Sequence, residues 1–181
     1  RKKADRSKDT FYAAMESGLK AYIRLATRFS ILAEERAQQC TGEDRARLLT
    51  ISDVMKRMPA QPAENFVEAL TVLAFMYYTV PALDGGNVSV LGHVDRLLAP
   101  YLQKDIEQQT LTYQQAFDYL WRFIYLPDAR WGKNHMGTNC TITIGGCDQD
   151  GVPVFNDVTK LIIAAYRKLR CIDPKLNIRL S

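Results

Sequence analysis

Met15, Leu19, Tyr22, Ala26, Phe29 and Ala33 recur at alternating steps of four and three. That spacing lays one apolar stripe along a helix and predicts one over about Thr10 to Gln39. Thr41-Gly42 interrupts it. Thr41 with Asp44 has capping-box spacing, which predicts a second helix to about Arg57 with Leu48, Ile51, Met55 and Met58 inward. Pro59 and Pro62 then mark a turn. From about Asn65 to Val80 the polar side disappears: no charge follows Glu68, and Ala69, Leu70, Val72, Leu73, Phe75, Met76 and Tyr77 cover every side. A helix apolar all round must be buried from most directions, which is easier inside something larger than this chain. Leu83 to Asn87 reads as a loop. The next helix spans about His93 to Gln108, with Val94, Leu97, Leu98 and Tyr101 on one side and Pro100 as a kink point. Thr112 and Gln115 form a second capping box that opens a helix to about Tyr125, with Pro127 as its stop.

The pattern then changes period. Pro127 to Thr138 reads as a polar loop carrying Trp131 and His135. Cys140-Thr141-Ile142-Thr143-Ile144 is β-branched and bounded by Gly145-Gly146, so it reads as a strand. Asp148 to Gly151 is a turn, and Asn156 caps a helix to about Arg170 that turns Val158, Leu161, Ile162, Ala165 and Leu169 inward. Pro174 ends that region, and Asn177 to Leu180 is a last strand. Strand, helix, strand implies a parallel pair joined by a right-handed crossover. Two strands with no further partner are a poor place for a domain to end. The pattern therefore predicts one partial α/β domain over residues 1–181. It is mostly helical over about 10–126, with two parallel strands over about 139–181.

Composition narrows the class. Hydrophobic residues make up 47% and charged residues 24%, the profile of a folded soluble chain. The net charge of +4 gathers at the start, in Arg1, Lys2, Lys3, Arg6 and Lys8, and reads as a solvated end with no nucleic-acid reader behind it. The chain opens on Arg1 without an initiator methionine, which suggests that residues precede it. The longest apolar run, Ala69 to Val80, is too short to cross a bilayer. No signal peptide is visible, so the expected location is cytoplasmic and the four cysteines are expected to be reduced thiols.

Residue chemistry alone picks out no catalytic site. Gly145-Gly146 lacks phosphate-loop spacing and is followed by Asp148 and Asp150, so the two glycines read as tight-turn residues. The loop from Asp148 fails as a calcium loop because Pro153 and Thr159 stand where glycine and glutamate are needed. Four cysteines without a C-x-x-C pair, and two histidines, argue against zinc. A base to activate the thiols of Cys140 and Cys147 is near in sequence, His135, but nothing in the sequence brings it near in space, and the two cysteines read as buried and inert. His93, at a helix start, reads as a surface or capping residue.

Four stretches, in order, resemble the glycyl radical enzymes of the pyruvate formate-lyase type. The first runs from Asp44-Arg45-Ala46-Arg47-Leu48-Leu49 through Arg57-Met58-Pro59-Ala60-Gln61-Pro62 to Phe66-Val67-Glu68-Ala69-Leu70. The second is Asn87 to Tyr101 with Asp105-Ile106, and the third Leu111-Thr112 with Gln115-Ala116. The fourth is Thr143-Ile144-Gly145-Gly146, then Asp150-Gly151, then Asp173 to Arg179. His93 stands where the family usually has arginine, and Cys140-Thr141 where many dehydratase-like members have Gln-Asn.

The resemblance implies a ten-stranded α/β barrel in the complete enzyme, to which these residues would give outer helices and about two strands. It implies radical C–C or C–X bond cleavage, formate acetyltransferase-like or dehydratase-like, on a small-molecule substrate inside a water-poor cavity. It further implies no cofactor bound to these residues and a protein-derived glycyl radical in the full enzyme, a separate radical S-adenosylmethionine activating enzyme as partner, and a homodimeric full-length protein. The family's thiyl cysteine and radical glycine match no residue of this chain, so no catalytic residue is carried over. Asn139, Cys140 and Thr141 are the positions that the resemblance brings to the substrate cavity. The competing reading is a non-catalytic helical interaction module or a degenerate relative.

Overall fold

The computed structural model describes residues 8–84, 90–131, 140–171 and 173–180. The chain divides into two compact units, residues 1–63 and 64–181. The first is a pair of packed helices, α1 (Asp9–Ala37) and α2 (Gly42–Arg57). Ala26, Ala33 and Ala37 of α1 are buried, as are Val54 and Met55 of α2. Small side chains on one helix let the other approach closely. Ser30 uses that closeness: its hydroxyl donates to the Ser52 carbonyl at 2.9 Å and lies 3.0 Å from the Ser52 hydroxyl. Of the stripe predicted along α1 only Ala26 and Ala33 are buried, while Met15, Leu19 and Phe29 remain 50%, 64% and 43% exposed. Thr41 does occupy the N-cap of α2, but its side chain makes no capping hydrogen bond, so the box expected with Asp44 does not form.

The second unit is a parallel sheet backed by helices. In chain order it holds α3 (Phe66–Asp84), β1 (Val90–His93), α4 (Val94–Glu107), α5 (Tyr113–Trp131), β2 (Thr141–Gly145), α6 (Asp157–Leu169) and β3 (Lys175–Arg179). The sheet order is β1-β2-β3, parallel throughout. This corrects the expected two strands to three. β1 is four residues long, contains Gly92 at a φ of 67°, and runs directly into α4. So short a segment offers no alternation for a pattern reading to detect. It makes β2 a central strand, and its Ile142 and Ile144 are fully buried. β3 stays at an edge, with Ile178 56% and Leu180 90% exposed.

The other boundaries follow local chemistry. Thr112 and Gln115 close the expected box at the start of α5: the Thr112 N–H donates to Gln115 Oε1 at 2.9 Å, and the Gln115 N–H to Thr112 Oγ1 at 3.2 Å. Asn156 caps α6, accepting from the Thr159 N–H, while Thr159 Oγ1 accepts from the Asn156 N–H. α5 continues through Pro127 to Trp131 instead of stopping near Tyr125. A proline deletes one helical hydrogen bond, a loss that a helix with intact turns on both sides can absorb. α3 likewise reaches Asp84. Along it Phe66, Ala69, Leu70, Leu73, Phe75 and Tyr77 are buried, while Met76 and Val80 stay 44% and 47% exposed. The apolar-all-round helix is thus covered on most, not all, of its circumference. His135 and residues 85–89 lie outside the described residues. No helix among the described residues is long and apolar enough to cross a membrane.

Candidate functional site

Alternation along β2 separates the two described site candidates. Side chains on a strand point in turn to opposite faces. Cys140, Ile142 and Ile144 form the buried set, at 5%, 0% and 0% exposure, on the side where α4 packs. Thr141 and Thr143 belong to the other, half-exposed set. Thr141 is in register with Lys175 on β3 and Val90 on β1, and Thr143 with Asn177 and His93. The register between Val90 and His93 is irregular, and none of these positions carries a carboxylate. Asn139 lies outside the described residues.

At the amino end of β2 the helix side holds a small polar cluster. Cys140 is buried just ahead of the strand, and its carbonyl accepts from the Lys175 N–H at 2.8 Å. Tyr77 of α3, 4% exposed, brings a buried hydroxyl that has no hydrogen-bond partner among the described residues, with the Cys140 thiol in its surroundings. Its ring stands edge-on to Tyr78, with centroids 5.3 Å apart, and to Phe123 at 6.3 Å. Asp173, buried just ahead of β3, is the nearby carboxylate. Burial pushes the Tyr77 phenol far above its ordinary range, and Cys140, Tyr78 and Asp173 add to the shift. The phenol thus stays protonated. The four cysteines are all unbridged.

The carboxyl end of β2 is built on charge. Asp95, fully buried at the start of α4, accepts from the Gly145 N–H at 2.8 Å, from Thr159 Oγ1 at 2.9 Å and from the Arg96 N–H at 2.9 Å. Arg96 Nη2 donates to the carbonyls of Gly145 and Cys147 at 2.8 and 2.7 Å. Asn156 Nδ2 reaches the Asp95 carbonyl at 3.2 Å. Gly145 and Gly146 have φ of 75° and 78°, and a Cβ on Gly145 would lie 2.7 Å from the Arg179 carbonyl oxygen. These are the tight-turn glycines that the sequence implied. His93 is the N-cap residue of α4 without a side-chain cap bond; its Nδ1 and Arg96 Nε are the buried nitrogens left over here. A separate cleft of about 260 Å³ lies between α4 and the starts of α5 and α6, floored by Leu102, Ile106 and Val158, and holds neither Cys140 nor Thr141. Among the described residues no group of three or more His, Cys, Asp or Glu side chains could hold a metal ion.

The sequence reading missed Tyr77, Asp95 and Arg96. A signal for the first was present: Tyr77-Tyr78 brings two hydroxyls into an otherwise apolar helix, and a buried tyrosine hydroxyl normally needs a partner.

A helix-backed parallel sheet with a strand–helix–strand unit defines an α/β protein. The chain belongs to the pyruvate formate lyase-like family, whose model matches residues 1–181. It is 29% identical to an isethionate sulfite-lyase from Desulfovibrio desulfuricans over 98% of this chain and 23% of that protein. It is 28% identical to the probable dehydratase YbiW of Escherichia coli, over 94% of this chain and 23% of that one. Among solved structures, a glycyl radical enzyme from Archaeoglobus fulgidus superposes with a TM-score of 0.80 at 27% identity, covering 97% of this chain and 26% of its own. The chain thus spans about a quarter of the proteins it matches. Three strands are what the described residues build of the expected barrel.

Proposed function

We propose that these residues are the helical flank and three wall strands of a glycyl radical lyase that breaks a C–X bond, dehydratase-like or sulfite-lyase-like. The observation that carries the reading is the family match along all of residues 1–181. The bond class is supported by the names of the relatives, which include sulfite-lyases, a (2S)-3-sulfopropanediol dehydratase and a trans-4-hydroxy-L-proline dehydratase. On this reading the rest of the barrel, the thiyl cysteine and the radical glycine belong to polypeptide outside these residues. A radical S-adenosylmethionine activating enzyme installs the radical, and the intact enzyme is a dimer. Thr141 faces the substrate cavity, where a hydroxyl can orient a substrate oxygen without taking a proton.

The test is anaerobic co-production of the whole reading frame that contains residues 1–181 with an activating enzyme. Electron paramagnetic resonance should then find an organic radical. A panel of isethionate, 1,2-propanediol, trans-4-hydroxy-L-proline, and pyruvate with coenzyme A should give turnover on a C–X substrate. Absence of any organic radical would sink the enzyme reading and favour a non-catalytic module. Turnover of pyruvate alone would restore the acetyltransferase-like alternative.

A further inference from the structure

The face of the sheet turned away from α4 is rich in hydrogen-bond donors and holds no acid. β2 sends Thr141 and Thr143 to it. Their register partners on β3, Lys175 and Asn177, are exposed, as is Arg179 opposite Gly145. No residue of β1, β2 or β3 is an aspartate or a glutamate. We propose that this face binds the anionic oxygen group of a small substrate, a sulfonate or a carboxylate. The Arg179 guanidinium takes the anion, and Asn177 and Thr143, in the adjacent row, orient the rest of the molecule. The proposal deepens the reading above and rests on it in one respect, that this face lines the substrate cavity.

Charge argues for the class of ligand. Arg179 enters no ion pair among the described residues. Its stem lies against the Gly145–Gly146 turn: a Cβ on Gly146 would come within 3.2 Å of both Arg179 Cβ and Arg96 Nη2. Two arginine side chains thus approach one glycine from different elements. The buried carboxylate at that turn, Asp95, is already committed to the N–H groups of Gly145 and Arg96 and to the Thr159 hydroxyl. A guanidinium presents coplanar N–H donors that match two oxygens of a sulfonate or carboxylate. Asn177 lies two residues back along β3, about 6–7 Å away, and is in register with Thr143. An anion held at Arg179 therefore leaves the far hydroxyl of a two- or three-carbon substrate within reach of an amide and a threonine hydroxyl. Lys175, one row further, adds a second positive charge to the same face. A neutral diol would gain only the hydrogen bonds, so the face discriminates by charge.

Isothermal titration of the whole protein that contains residues 1–181, without activation, tests the proposal. The probes are isethionate and lactate as anions and 1,2-propanediol as the neutral counterpart. Both anions should bind about tenfold or more tighter than the diol. Arg179→Gln should remove that preference and leave the diol affinity within about twofold, and Arg179→Lys should restore part of it. Asn177→Asp is the second variant. It places a carboxylate on the exposed face and should weaken both anions about tenfold while the diol still binds, which decides the matter even if Arg179→Gln fails to fold. The proposal is overturned if neither anion binds, if the diol binds as tightly as the anions, if Arg179→Gln or Asn177→Asp leaves the anion affinities unaltered, or if Arg179→Gln weakens all three probes alike, the mark of a merely structural role. Binding needs no organic radical. A missing radical would sink the proposed function, whereas a missing charge preference would sink this proposal alone.

Discussion

The two ends of β2 are secured by opposite means. The carboxyl end is tied by a buried carboxylate and a guanidinium, which between them bond a backbone N–H, two carbonyls and a hydroxyl around Gly145. The amino end has far fewer ties: one strand-ladder bond from the Lys175 N–H to the Cys140 carbonyl, beside a buried phenol without a hydrogen-bond partner among the described residues. A dense ionic network fixes geometry and spends its valences internally; a sparse neutral one leaves hydroxyls next to an open face. Rules of thumb for parallel sheets point to the carboxyl ends of strands, and here that end is already filled by the protein's own groups.

The contrast can be broken most violently at Gly145. Alanine there would need a left-handed backbone and would put a methyl against the Arg179 carbonyl, so a loss of about 3 kcal/mol or more is expected. Thermal unfolding of residues 64–181 would read it, and a Gly145→Ala protein of unaltered stability would mean that this end is looser than described. Next is Asp95→Ala, which strands the Gly145 N–H in the core. We expect roughly 2 kcal/mol, with Thr159→Val costing less because Asn156 still caps α6 through the Thr159 N–H. Cys140→Ala at the other end should cost about 1 kcal/mol, and Tyr77→Phe in that background should recover part of it by removing the orphaned hydroxyl.

The smallest effect belongs to an exposed group near the carboxyl end. Lys160, and then the Tyr113 hydroxyl, hold the Asp157 carboxyl below its ordinary range. A depressed folded value stabilises fully above the unfolded value of about 4 and is lost as pH falls through the lower folded one. A slight fall in Tm below about pH 4, absent in Asp157→Asn and fading with salt, is expected.

How far the sequence could be read varied with the range of the forces involved. The capping chemistry at Thr112–Gln115 and Asn156, and the turn glycines 145 and 146, are local and were legible. So was the strand at Cys140 to Ile144, where β-branching and flanking glycines agree. β1 was not legible, because four residues with a glycine among them become a strand only when β2 lies alongside. The stop at Pro127 failed because a proline removes one helical hydrogen bond without having to end the helix, and α5 runs on to Trp131. Of the site, the resemblance singled out Asn139, Cys140 and Thr141, but the opposite facing of the last two follows from strand parity and their burial. Tyr77 and Asp95 lie 63 and 50 residues from the groups they meet at Cys140 and Gly145. No short window connects them.

The free side of β3 carries an arrow. A following strand of the same polypeptide, to run with the grain of the sheet, must first be carried back to the starting end, which takes a crossover of a dozen residues or more. Two identical molecules meeting there across a twofold axis would instead run head to tail. Crosslinks joining residue 177 to its own twin would betray such an unintended marriage, while an authentic neighbour would leave a staggered, one-directional ladder.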